Sequence, residues 1–140
     1  MTSNKRISWD SYFMNVASLI SQRSSCNKLH VGCVLVKDNR IISTGYNGHV
    51  AGQPHTSYEK DGHELATIHA EQNAICDCAL RGINSKDASA YITHYPCINC
   101  FKILVASGVK EIIYLNDYKN DDYFDKLIRT ENITMKKFEE

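Results

Sequence analysis

His69-Ala70-Glu71-Gln72-Asn73-Ala74-Ile75, followed later by Pro96-Cys97-Ile98-Asn99-Cys100, is the pair of stretches around which the chain organises itself. Each opens a helix. From Ile68 to Leu80 apolar residues recur at helical spacing, and Gly82 stands just past the end as a stop. Cys97 to Ala106 repeats the pattern and closes before Gly108. Ala88 to Thr93 reads as the strand between them, and Lys110 to Leu115 as the strand that follows. Strand-helix-strand units of this length predict parallel pairing.

Upstream, Trp9 to Arg23 places Tyr12, Phe13, Val16, Leu19 and Ile20 on one helical face. Val31 to Val36 is a short apolar run interrupted only by Gly32, as expected for a buried strand. Asp38-Asn39 supplies turn chemistry, so Arg40 to Gly45 should return antiparallel as a hairpin partner. Gly48 to Asp61 is a long loop, with breakers at Gly52, Pro54 and Gly62 and histidines at 49, 55 and 63. Loops of that length in compact domains tend to carry function. Downstream, Tyr123 to Arg129 reads as a last helix and Ile133 to Phe138 as a terminal strand. The order α-β-β-α-β-α-β-α-β predicts a three-layer α-β-α fold of the α/β class. Its mixed five-stranded sheet carries helices on both faces.

The bulk composition sets limits. With 140 residues, 43% of them hydrophobic, residues 1–140 suit a single domain with one sheet-centred core. Sixteen Lys and Arg balance sixteen Asp and Glu, so there is no global basic surface of the kind that nucleic acids attract. No apolar run approaches the roughly 18 residues that span a bilayer. The polar stretch Met1 to Asp10 lacks the apolar segment of a secretory signal. Six cysteines, two of them in Cys-x-x-Cys spacing, are then read as reduced thiols in a cytoplasmic protein. Cys76 and Cys78 are expected to be small buried or half-buried side chains.

The chemistry lies in the pairing of the two motifs. A structural zinc finger takes four protein ligands and is closed to water, whereas a catalytic site takes three and keeps a position open. His69, Cys97 and Cys100 supply three ligands; Glu71 supplies a carboxylate that is not one. That division suits metal-assisted hydrolysis of an amino group from a nucleobase, with the carboxylate moving the protons. Each half alone is weak: Cys-x-x-Cys also serves redox pairs, and a single helical histidine is more often surface or core. A redox role would need neither His69 nor Glu71. The two helix dipoles favour thiolates at Cys97 and Cys100.

With these residues in place, the chain resembles the deoxycytidylate deaminases of the zinc-dependent cytidine deaminase superfamily. His69 to Ile75 matches the family's His-Ala-Glu-x-Asn-Ala-Ile, and Pro96 to Cys100 its Pro-Cys-x-x-Cys. Val31-Gly32-Cys33 and Gly45-Tyr46-Asn47-Gly48 match its first two strands. The similarity runs from about Ser8 to Phe138 and implies a cytidine deaminase-like fold. It also implies Zn2+ on His69, Cys97 and Cys100, Glu71 as proton shuttle, and conversion of dCMP to dUMP and ammonia, supplying dTMP synthesis.

The same resemblance places a deoxyribose hydroxyl on Asn47, which could otherwise be a simple turn residue. It lines the base with Ala70, Thr93 and Tyr95, the last equally at home as a packing residue. For the 5′-phosphate it offers Arg23, Ser24 and Ser25, or Tyr118 and Lys119; either group reads equally well as solvated surface. Members of the family are often activated by dCTP and inhibited by dTTP beside the Gly-Tyr-Asn-Gly loop. Gly48, Ala51 and Gly52 would line that site, and Mg2+ would accompany a triphosphate. Val50 stands where a proline is common. Homo-oligomers, often hexamers, usually carry such control. Some relatives hold a second, structural zinc, for which Cys26, His55 and His63 are the candidates, with His30, His49 and Cys33 in reserve; polar loop histidines and a packed cysteine read at least as well.

Other substrates stay open: dCTP, free cytidine, guanine or a tRNA adenosine. The last would want a basic face that the neutral composition lacks. A binding module that has lost catalysis would have no use for Glu71.

Overall fold

The computed structural model describes residues 5–117 and 122–140. In chain order its elements are α1 (Trp9–Ser21), β1 (Gly32–Lys37), β2 (Arg40–Tyr46), β3 (Gly48–His49), β4 (Glu59–Lys60), β5 (His63–Glu64), β6 (Thr67–Ile68) and α2 (Ala70–Arg81). These are followed by β7 (Ser89–His94), α3 (Ile98–Ala106), β8 (Glu111–Asn116), α4 (Asp122–Thr130) and β9 (Thr134–Lys137). The main sheet has the order β2-β1-β7-β8-β9. β1 pairs antiparallel with β2 and with β7, while β7, β8 and β9 run parallel. The mixed five-stranded sheet of the sequence reading is the observed one.

Local chemistry explains these elements. Ser8 caps α1, its hydroxyl accepting from Ser11 N at 3.0 Å. Asp38 and Asn39 both take positive φ (52° and 59°), the tight two-residue turn that matches strand twist. β1 is buried on both faces because its alternate residues feed two cores. Cys33 and Leu35 point to one, Val34 and Val36 to the other. On the second face lies α1, packing Phe13, Met14 and Ala17 over Val34, Tyr91 and Ile113. On the first lie α2, α3 and α4, where Ala74, Cys78, Phe101, Leu104 and Phe124 cover Ala90, Ile92 and Ile112. The parallel pairs β7–β8 and β8–β9 are connected through α3 and α4, which pack into the same core.

Helix ends differ from the sequence reading by a residue or two. His69 and Cys97 are caps with extended backbone rather than first helical residues. Gly82 ends α2 in the left-handed conformation (φ 71°), and Ile83 N donates to Cys78 O at 2.8 Å. One expectation is corrected: Cys78 is buried, but Cys76 is exposed, because it lies across α2 from Ala74 and Cys78. The long loop also contains strand pairing that the sequence reading did not foresee, in the short ribbons β3-β6 and β4-β5. Among the described residues no helix is long and apolar enough to cross a membrane.

Candidate active site

The two caps bring the ligands together. At His69 (ψ 154°) and Cys97 (ψ 163°) the chain is still extended, so both side chains project ahead of the helix N-termini. Cys100, fully buried, follows in the first turn of α3. His69 Nδ1 lies 3.2 Å from Cys100 Sγ and 3.7 Å from Cys97 Sγ. All three ligand atoms fall within 4.8 Å of one another, the only such group among the described residues. Gln72 fixes the His69 backbone, its Oε1 accepting from His69 N at 3.0 Å.

The electrostatics match the geometry. Hydrogen bonding from Cys100, with a further bond to His69, outweighs burial and lowers the Cys97 pKa to about 4. Cys100 is pushed far up, first by its bond to Cys97 and then by burial. The bond to Cys97 raises the pKa of His69. The pair thus favours the thiolate at Cys97 and the thiol at Cys100, whereas a dication would take both as thiolates. One imidazole nitrogen and two thiol sulfurs in so compact a set fit zinc. Glu71 is 4% exposed, and desolvation raises its pKa to about 7, with the negative charge at Cys97 adding to the rise. A carboxylate poised near neutrality can both accept and return a proton.

These groups face a cavity of about 360 Å³. Its metal end is His69, Glu71 and Cys97; its walls include Asn47, Ala70, His94 and Tyr95. Cys26, Lys28, Leu29 and Val31 come from the loop after α1, and Gly62, His63, Glu64 and Thr67 from the insert. Asn47 is held by the α1–β1 loop: Oδ1 accepts from Val31 N at 2.8 Å and Nδ2 donates to Leu29 O at 2.6 Å. Thr93 does not line the cavity; its buried hydroxyl contacts Gly32 N and His94 instead.

Arg23 and Ser24 lie elsewhere. They line a second cavity of about 710 Å³, on the other side of the Gly45–Gly48 turn, together with Gly48, Ala51 and Gly52. The Arg23 guanidinium sits 5.9 Å from the Tyr46 ring centroid there. Tyr118 and Lys119 lie outside the described residues. The candidates for a second zinc are not brought together. Cys26 and His63 line the first cavity, whereas His55 lines the second and stacks on His49 at 5.1 Å. His30 is turned to Cys26 O, at 2.9 Å. A wider groove, about 1170 Å³, runs between Lys5–Phe13 and the β1–β2 turn, but it holds none of the histidine, cysteine or buried-carboxylate chemistry.

Sequence reasoning missed His94, Lys28 and Gln72. The signal for His94 was available: it is the last residue of a strand that feeds directly into Pro96-Cys97.

A caps-and-carboxylate site at the N-termini of two helices, over a mixed sheet, defines the class of metal-dependent hydrolytic deaminases. Residues 7–116 match the family model described as the cytidine and deoxycytidylate deaminase zinc-binding region, and the chain belongs to that family. It is 42% identical over 139 residues to ComE operon protein 2 of Bacillus subtilis, covering 96% of this chain and 74% of that protein. It is 38% identical over 144 residues to the deoxycytidylate deaminase of Saccharomyces cerevisiae, covering 95% of this chain but only 46% of the yeast protein. The crystal structure of dCMP deaminase from the cyanophage S-TIM5 in complex with dCMP and dUMP superposes with a TM-score of 0.83. It is 30% identical, with 96% of this chain and all of that one (100%) covered.

Proposed function

We propose that this protein hydrolyses dCMP to dUMP and ammonia. The observation that carries the reading is buried Glu71 beside the His69, Cys97 and Cys100 group, in a cavity that Asn47 also lines. The likeness to the cyanophage enzyme that binds dCMP and dUMP supports the choice of base and nucleotide. His69, Cys97 and Cys100 hold zinc, whose Lewis acidity, when it is bound, makes water nucleophilic at neutral pH. Glu71 takes one proton from the water as its oxygen adds to C4 of the base and delivers that proton to N3. It then carries the second proton, from the new C4 hydroxyl, to the amine, which leaves as ammonia as the C4–N bond breaks. Asn47 holds the sugar, with Ala70 and Tyr95 beside the base.

Residues 1–140 act as one catalytic domain that supplies dUMP for dTMP synthesis in the cytoplasm. The enzyme is a homo-oligomer, a hexamer, activated by dCTP and inhibited by dTTP with Mg2+ on the triphosphate. The second cavity supports this regulatory reading: it is separate from the first, shares the Gly45–Gly48 turn with it, and contains Arg23, Ser24 and the backbone of Gly48, Ala51 and Gly52. The deciding assay measures ammonia release from deoxycytidine, cytidine, dCMP, CMP, dCTP and a tRNA, with and without dCTP and dTTP. Selective turnover of dCMP is expected; turnover of free nucleosides or tRNA alone would sink the assignment.

A further inference from the structure

His94 closes β7 and forms part of the wall of the catalytic cavity, yet it belongs to no ligand group. Its ring is anchored through one atom: Nδ1 lies 2.9 Å from Thr93 Oγ1. Nε2 has no partner among the described residues.

The neighbouring hydroxyl decides which nitrogen carries the proton. Thr93 is 3% exposed, so its O–H must be satisfied within the protein. Gly32 N–H already donates to Thr93 Oγ1 at 3.1 Å. Were His94 Nδ1–H to donate there as well, the oxygen would accept twice and its own buried hydrogen would go unused. With Thr93 O–H donating to Nδ1, every group finds its partner: the Gly32 amide, the hydroxyl hydrogen and the imidazole lone pair. The neutral ring then carries its proton on Nε2. Burial keeps the His94 pKa below the ordinary histidine value, in line with a neutral ring.

We propose that His94 is a substrate-reading residue, whose Nε2–H donates to an oxygen of the bound nucleotide and whose tautomer Thr93 sets. The inference rests on the cavity being the dCMP site. Such a donor cannot serve the leaving amine, which is itself a donor. It serves an acceptor, either the 2-carbonyl and sugar oxygens or the 5′-phosphate. A fixed donor of this kind discriminates strongly, because a substrate lacking the acceptor leaves it unpaired.

The test uses the zinc-loaded full chain with 15N-labelled histidine. Long-range 1H–15N spectra, with His94 assigned from the signal lost in His94→Leu, should show bare Nδ1 and protonated Nε2. Adding dUMP should shift the Nε2 resonance. Protonated Nδ1, or no response to dUMP, overturns the proposal. In kinetics His94→Leu should keep its zinc and thermal midpoint but lose about tenfold or more in kcat/KM for dCMP. His94→Gln, which restores an N–H donor, should recover part of this loss, and Thr93→Val should fall between them with a mixed tautomer signal. A loss confined to dCMP and absent with deoxycytidine assigns the phosphate; equal losses assign the base or sugar. An active wild type with an equally active His94→Leu overturns this inference alone. A wild type inert towards dCMP overturns the proposed function instead.

Discussion

The Ser24 hydroxyl donates to the Asn47 carbonyl at 2.7 Å, joining a wall of the second cavity to a residue that lines the catalytic one. Asn73, on α2, grips the same turn from the opposite side, its Nδ2 donating to Tyr46 O at 2.8 Å. The Gly45–Gly48 turn is thus a partition whose two faces see two cavities. A ligand that drew Ser24 away would remove one of the bonds on Asn47, a differential contact of the sort that coupling between sites requires.

Ser24→Ala should therefore raise the KM for dCMP and shrink the response to dCTP and dTTP. The neutral hydrogen bond is worth about 0.5–1.5 kcal/mol, so the KM change should be between about two- and tenfold. Titrating each effector against the dCMP saturation curve, in wild type and variant, reads both effects. An undiminished effector response in Ser24→Ala would show that the bond does not transmit it.

Glu71→Gln keeps the shape of the side chain and removes its ability to take a proton. Because Glu71 is not in the ligand group, the variant should bind zinc stoichiometrically. Deamination should fall by about 10²–10⁴-fold, the usual value of a positioned acid–base group. Metal analysis and ammonia release on the same sample check both halves. Loss of zinc would return Glu71 to the ligand set; retained turnover would remove it from the mechanism.

How much of this was legible in the sequence depended on whether a signal was local. The Asp38-Asn39 hairpin, the Gly82 stop and the two motif helices each have short-range causes, and all are found within a residue or two of where their residues predict. The reading of Cys76 as buried or half-buried was wrong although the signal was local, since Cys76 falls off the face defined by Ala74 and Cys78. Arg23 and Ser24 were not placeable. Nothing local tells which side of the Gly45–Gly48 turn a segment leaving α1 will take, and here it takes the side away from Glu71. The insert resisted reading for a different reason. His49, His55 and His63 sit in a stretch without periodicity, so only the tertiary path decides that His55 meets His49 rather than Cys26.

The Asp10 carboxyl ties the start of α1 to the far sheet strands, accepting from Tyr91 Oη and from Lys136 Nζ at 3.0 Å. Burial raises its pKa, but the bonds from Tyr91 and Lys136 outweigh that and leave it below the usual carboxylate value. For a depressed carboxylate, the stabilisation is complete above the unfolded value of about 3.9 and is lost as pH falls through the folded value. Thermal midpoints of wild type and Asp10→Asn should accordingly differ near neutral pH and converge in acid. A gap that stays constant down to the acid limb would mean that the charge of Asp10 contributes nothing.

Gly45 shows how closely the catalytic helix is seated. A Cβ at this position would overlap the Ala70 carbonyl oxygen and stand 2.6 Å from Ala74 N. Both are backbone atoms of α2, so no rotamer change can make room, and the helix itself must move away from β2. Gly45→Ala should cost on the order of 1–3 kcal/mol, as overpacking does. Because Ala70 and Glu71 ride on the displaced turn, kcat should fall more than KM rises, misplacement of a reacting group being felt mainly in the chemical step. Gly82→Ala is the comparison. Gly82 also requires glycine, for its φ of 71°, but a Cβ there meets nothing within 4 Å. That variant should lose about 1 kcal/mol of stability and keep its kcat. Should the two variants show the same unchanged kcat, then close seating of α2 on β2 is not what positions Glu71.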